Sequence, residues 1–218
     1  MRMVKAVRIV VDTSMFVLIL FLMSYPLTRG LMRHGVCGAL LGGLLFCHHL
    51  LNLPWYRSLC RGFWNFRRRV LTVTAMLLLL DTLVLIFSSL SMSGEVFAFM
   101  PFPMTSWGRS LHTAVTAWTF VLVSFHMGLH WQGFWKRLRQ GLGKAFYPLM
   151  LVLLVSGGWC FWESRLWSDM LLTGDLKVYP YEFWQFILLY LGITAFFCLI
   201  SRLLLKAGEW MASRGKLR

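Results

Sequence analysis

The chain has 218 residues, of which 58% are hydrophobic and only 14% charged, against roughly a quarter charged in soluble globular domains. That balance excludes an ordinary soluble enzyme and a disordered chain, and it points to a membrane protein folded as one helical bundle. The net charge of +14 does not indicate a nucleic-acid partner, because the cations stand in short clusters between apolar runs, as in membrane-protein loops.

Six runs approach the ~20 apolar residues that a helix needs to cross the hydrocarbon core. The first, 7–25, carries Arg2, Lys5 and Arg8 at its start. It lacks a small-residue cleavage site and reads as a retained span. Asp12 lies near its inner end. A short loop with Arg29 and Arg33 leads to the second run, 34–53. Arg57, Arg61, Arg67, Arg68 and Arg69 separate it from the third, 70–92, which holds Asp81 near its middle. The loop 93–109, with Glu95 and Arg109, leads to the fourth, 110–131. Lys136, Arg137, Arg139 and Lys144 precede the fifth, 145–162, the shortest and the one interrupted by Gly157 and Gly158. The loop 163–182 carries Glu163, Asp169, Asp175 and Glu182 against Arg165 and Lys177, and the sixth run follows at 183–205. Arg202, Lys206, Arg214, Lys216 and Arg218 end the chain.

The runs are continuous rather than alternating, so helices and not a barrel are expected. The basic loops fall on one side. The positive-inside rule therefore predicts six crossings with both termini cytoplasmic, in a bacterial inner membrane. Residues 1–135 read as a four-helix core, and residues 136–218 as two further spans with an outer loop. Trp55, Tyr56, Trp64, Trp107, Trp131, Trp135, Trp162 and Trp167 stand where runs end and suit an interfacial aromatic belt. The cysteines (Cys37, Cys47, Cys60, Cys160 and Cys198) form no CxxC and no CxxCH. Four of them lie in apolar runs and read as small packing residues.

All six histidines lie in or at the ends of the second and fourth runs: His34, His48, His49, His112, His126 and His130. Ionisable residues inside a span are costly and point to function. His34 and His48 are 14 residues apart, and so are His112 and His126. Fourteen helical steps return to within about 40° of the same face and climb about 21 Å. Each helix thus presents two imidazoles on one face, one near each surface of the bilayer. With one span between them the two helices run parallel, so His34 is level with His112 and His48 with His126. Two level imidazoles from facing helices suit the axial positions of a haem iron. Zinc or copper shared among all four is excluded, because the pairs stand too far apart for one ion.

An offset of 78 relates the two segments: His34 to His112, His48 to His126, Asn52 to His130 and Arg61 to Arg139. His49 points about 100° from His48 and would break the matched spacing. His130, one turn beyond His126, suits an interfacial residue, a propionate partner or part of a quinone site. Gly38, Gly42 and Gly43 allow either close helix packing or a macrocycle lying against the helix, Gly38 being one turn from His34. Asp81 suits a proton path near a haem or a hydrogen bond to Ser, Thr or His of another helix.

Residues 34–56, HGVCGALLGGLLFCHHLLNLPWY, and residues 112–131, HTAVTAWTFVLVSFHMGLHW, resemble the two haem-binding segments of the flavinylation-associated cytochrome domain family. His34, Gly38, His48, Asn52, His112, His126, His130 and Trp131 carry the resemblance, which spans the first four runs. Thr116 stands where a second glycine equivalent to Gly38 would be. The two-His-per-helix scheme is also similar to respiratory cytochromes b. The resemblance implies two b-type haems carrying electrons between membrane quinol (menaquinone among the quinones) and an extracytoplasmic flavoprotein or other redox partner. No flavin-attachment motif is present, so the chain reads as conduit or as the quinol-oxidising cytochrome b subunit of an oxidoreductase. The alternatives are a membrane anchor or assembly subunit of a redox complex, and a proton-relay transporter using the histidines. The acidic outer loops, with Trp167, Tyr179, Pro180 and Tyr181, suit either a docking patch for a basic partner or a cap over the His34–His112 level.

Overall fold

A computed structural model describes residues 2–28, 30–92, 106–173 and 181–215. Regular structure among the described residues is helical throughout, with no strand. Six long helices match the six runs: α1 (Arg2–Met23), α3 (Leu31–Leu51), α5 (Phe66–Met92), α6 (Ser106–His130), α8 (Phe146–Glu163) and α10 (Phe183–Gly215). Short helices join them: α2 (Tyr25–Thr28), α4 (Leu53–Ser58), α7 (Gln132–Leu142) and α9 (Leu166–Met170). Five stretches are long and apolar enough to cross a membrane: α1, α3, α5, α10 and the run through α7 into α8. α6 is not among them. It carries three histidines and several hydroxyls, and it can do so because its neighbours enclose it.

That enclosure is visible in the burial pattern. α6 buries Ala114, Ala117, Phe120, Val121, Ser124 and Leu129. Its neighbours are α5, α10 and the short α9. The main core joins Ile19 and Leu20 of α1, Ala117, Phe120 and Val121 of α6, Leu166 of α9, and Phe186, Tyr190 and Ile193 of α10. Phe186 and Tyr190 stack at 4.2 Å, and Tyr190 meets Phe120 edge-on at 5.0 Å. Small residues set the close crossings, as they do between helices in lipid. A Cβ on Gly157 of α8 would come within 2.6 Å of the Gly192 carbonyl of α10, and one on Gly128 of α6 within 2.5 Å of Cys198.

α3 is built differently. It packs along α1 and buries no residue. A Cβ on Gly38, Gly42 or Gly43 would meet nothing within 4 Å. Among the described residues, no helix packs closely against these glycines. Cys47 is exposed on the same helix, and of the five cysteines only Cys198 is buried. The packing role expected of the cysteines holds for Cys198, and for Cys160, whose sulfur lies over Gly192.

The basic segments gather at one end. His130 at the end of α6 lies within electrostatic reach of Arg67 at the start of α5. α7 turns its apolar side, Trp135, Leu138 and Leu142, onto Phe146, Cys198 and Leu199, and leaves Lys136, Arg137 and Arg139 exposed. Trp135 is 4% exposed, so it is a packed anchor rather than a belt residue. Arg202 of α10 stacks over it at 5.3 Å and over Phe146 at 5.8 Å. Trp107 and Trp162 remain outward-facing, as a belt requires.

Candidate functional site: histidine pairs between α3 and α6

The site begins with the 14-residue spacing, which both helices preserve because neither is interrupted between its histidines. At one level the His34 and His112 rings face each other, 6.2 Å between centroids with their planes at 76°. Tyr25 of α2 packs edge-on against His34 at 4.8 Å. Behind His112 stand Ser88 and Ser89 of α5, their oxygens 3.3 and 3.4 Å from Nδ1. Both serine hydroxyls already donate to the Leu85 carbonyl, at 2.9 and 2.7 Å. Their oxygens are left to accept, so Nδ1 of His112 carries the proton and Nε2 keeps its lone pair. At over 3.2 Å these contacts are weak.

The other level is organised around a carboxylate. Nδ1 of His48 donates to Oδ1 of Asp12 on α1 at 2.7 Å. One turn before Asp12, Arg8 donates to the Leu51 carbonyl at the end of α3 at 2.5 Å, and this pair of contacts fixes the α1–α3 register. His126 of α6 lies within electrostatic reach of His48, His130 and Asp12, and its ring centroid is 4.6 Å from that of His130. Nδ1 of His126 is buried without a hydrogen-bond partner. His130 itself is exposed at the end of α6.

His49 is turned away from this level. Its Nδ1 lies 2.6 Å from the Tyr56 hydroxyl, and burial holds that phenol above its usual range, so it keeps its proton. Asn52, the offset partner of His130, donates from its side chain to the His48 carbonyl at 2.8 Å, closing α3. Asp81 of α5 accepts a 2.5 Å hydrogen bond from Thr119 of α6, which is the interhelical hydrogen bond expected as one of its two readings.

Every histidine expected as a ligand thus lies on the α3–α6 pair. Among the described residues no group of three or more His, Cys, Asp or Glu could hold a metal ion.

No family model, no curated protein and no solved structure matches the chain. The family resemblance of residues 34–56 and 112–131 therefore rests on the quoted motifs alone.

Sequence reasoning passed over three partners of the histidines: Asp12, the Ser88–Ser89 pair and Tyr25. Asp12 did carry a signal, as a carboxylate inside an apolar run. The serines carried none, being ordinary small residues on a helix. For the outer loops, Glu95, Asp175, Lys177, Tyr179 and Pro180 lie outside the described residues. Of the remainder, Tyr181 donates to Glu163 at 2.8 Å, Trp162 stacks on Trp167 at 5.5 Å, and α9 is fastened to α6 by Trp118 Nε1 donating to the Met170 carbonyl at 3.1 Å. Leu166 is fully buried.

Proposed function

We propose that the protein is a membrane-spanning electron carrier whose two histidine pairs, His34–His112 and His48–His126, each provide both axial ligands of a b-type haem. The reading rests foremost on the 6.2 Å separation of the His34 and His112 rings. With metal–nitrogen bonds of about 2 Å, two imidazoles on opposite sides of one metal atom sit roughly 6 Å apart between ring centres. The protonated Nδ1 of His112 leaves Nε2 free to ligate, the arrangement that metal-binding histidines usually have. The open faces of Gly38 and Gly42 on α3, within about a quarter turn of His34, leave room beside the ligands for a flat group. The unpartnered Nδ1 of His126 supports the second pair less directly, since a buried orphan nitrogen calls for an explanation.

Haem held at both levels would supply two one-electron couples about 21 Å apart along the helices. The chain's own residues then hold the rings, keep their ligating nitrogens unprotonated and shield them with α5 and α10. His48 is the better ligand than His49, because it keeps the 14-residue spacing to His34 and its Nδ1 is held by Asp12, whereas His49 is turned to Tyr56. In this arrangement all six long helices cross a bacterial inner membrane with both termini cytoplasmic. Quinol would meet the carrier in the bilayer, and an extracytoplasmic redox protein, flavin-bearing in the family that the motifs resemble, would exchange electrons at the His34–His112 level.

The test is a reduced-minus-oxidised spectrum of the purified protein with a haem count. Two b-type haems per chain are expected. His34→Ala and His112→Ala should each remove the same haem, and His48→Ala and His126→Ala the other. Absence of b-type absorbance from haem-replete cells would sink the reading. Loss of different haems from His34→Ala and His112→Ala would overturn the pairing.

A further inference from the structure

The two levels differ in what stands behind their histidines. At the inner level the partner is a carboxylate, Asp12, at 2.7 Å. At the outer level it is a pair of neutral hydroxyls at 3.3 and 3.4 Å. A hydrogen bond to a charged acceptor is shorter and about twice as strong as a neutral one. A carboxylate behind a ligating histidine raises the basicity of the ligand and tunes the metal that it holds.

Resting on the haem reading above, we propose that Asp12 is a positioning and tuning residue for His48 that makes the inner haem the lower in potential. An electron shared between the two levels then settles on the outer one. The reasoning is electrostatic. Asp12 draws the Nδ1 proton of His48, so electron density on Nε2 rises, and the oxidised, more positive state of the iron is favoured. Ser88 and Ser89 give their protons to Leu85 and offer His112 only long, uncharged contacts. Two cations stand near this level, Arg8, whose head is engaged by the Leu51 carbonyl at the end of α3, and Arg67, within reach of His130; both stay in place when Asp12 alone is changed, so the comparison isolates the carboxylate. The exchange balances within the molecule: the inner iron loses one electron and the outer gains it. The carrier therefore has a built-in direction, from the face with the basic loops toward the other.

The experiment is a potentiometric titration of the purified holoprotein, followed by the b-type absorbance. His34→Ala, which keeps only the inner haem, assigns the waves. Two waves are expected, the lower one inner. Asp12→Asn keeps a carbonyl to accept from Nδ1 but removes the charge. It should raise the inner wave by about tenfold in the oxidised-to-reduced ratio, about 59 mV for one electron, with the outer wave unmoved. Asp12→Glu, which keeps the charge, should leave the inner wave the lower of the two. Two haems whose potentials do not respond to Asp12→Asn would overturn this proposal and leave the haem reading standing. Loss of the inner haem from Asp12→Asn would also overturn it, since Asp12 would then act as a structural prop. If that variant cannot be purified, Asp12→Glu decides, and coincident waves in it overturn the proposal. A wild-type protein without b-type absorbance would remove the haem reading and this proposal together.

Discussion

The histidines and their neighbours divide into residues that read themselves and residues that do not. A 14-residue interval between two imidazoles is a property of helix geometry alone, so the levels His34–His112 and His48–His126 were legible from the chain. The spacing also favoured His48 over His49, whereas the Tyr56 contact of His49 reaches across a helix end and was not legible. The Asp12 contact joins residues 36 apart in the sequence, which no local pattern encodes. Asp81 is a further case. Its partner Thr119 lies 38 residues away, and a carboxylate inside a bundle needs such a donor. Thr119→Val keeps the shape and removes the donor. It should destabilise the α5–α6 pair by about 1–2 kcal/mol, read as a lower midpoint in an unfolding titration, with the haem count unchanged.

At the level of whole helices, all six long ones were foreseeable from apolar runs, with ends displaced by a few residues except where α10 continues to Gly215. α7 and α9 were not. α7 alternates basic and apolar residues at helical period, and in a chain of long apolar runs such a stretch looks like a charged loop. α9 is too short to have a period. The glycines separate into two populations that the sequence cannot tell apart. Gly157 of α8 and Gly128 of α6 sit at crossings where a methyl would strike backbone, and Gly192 and Gly208 of α10 where it would strike a side chain, whereas those of α3 face open space. Substitution should divide them cleanly. Gly157→Leu should disrupt the α8–α10 contact and lower the thermal midpoint of the purified protein. Gly38→Leu, with nothing to strike, should keep helicity and stability within about 0.5 kcal/mol, as exposed substitutions do. It should nevertheless lower occupancy of the His34–His112 haem, read from the haem count. Full occupancy in Gly38→Leu would mean that no macrocycle lies on that face.

For the molecule as a whole, the positive-inside rule would put the end with the basic segments on the cytoplasmic side. Arg57, Arg61, Arg67, Arg68 and Arg69 stand between α3 and the apolar part of α5, at the end where α7 also lies. Cys60 is exposed in that connection, whereas Cys47 is exposed on the side of a long apolar helix. A membrane-impermeant maleimide should therefore label Cys60 in inverted vesicles and not in intact, right-side-out ones, while Cys47 stays unlabelled in both. Labelling of Cys60 from the outer face would reverse the assigned topology.

Of the two helices that carry the four proposed ligands, α6 is the one that its own composition would less readily keep in lipid. α6 falls below the apolarity of the other five long helices and is the most enclosed of the six. A segment of that kind is poorly suited to leaving a translocation channel alone. It would enter the bilayer as a passenger of α5, held by the Thr119–Asp81 bond, and wait for α10, made after it, to close over it. Assembly would then run in order: the α1–α3 hairpin first, the α5–α6 pair second, the α10 seal third. The histidine-bearing face of α6 would stay open toward α3 until α10 closes, so a haem of the kind proposed could be loaded sideways after the earlier helices are in place.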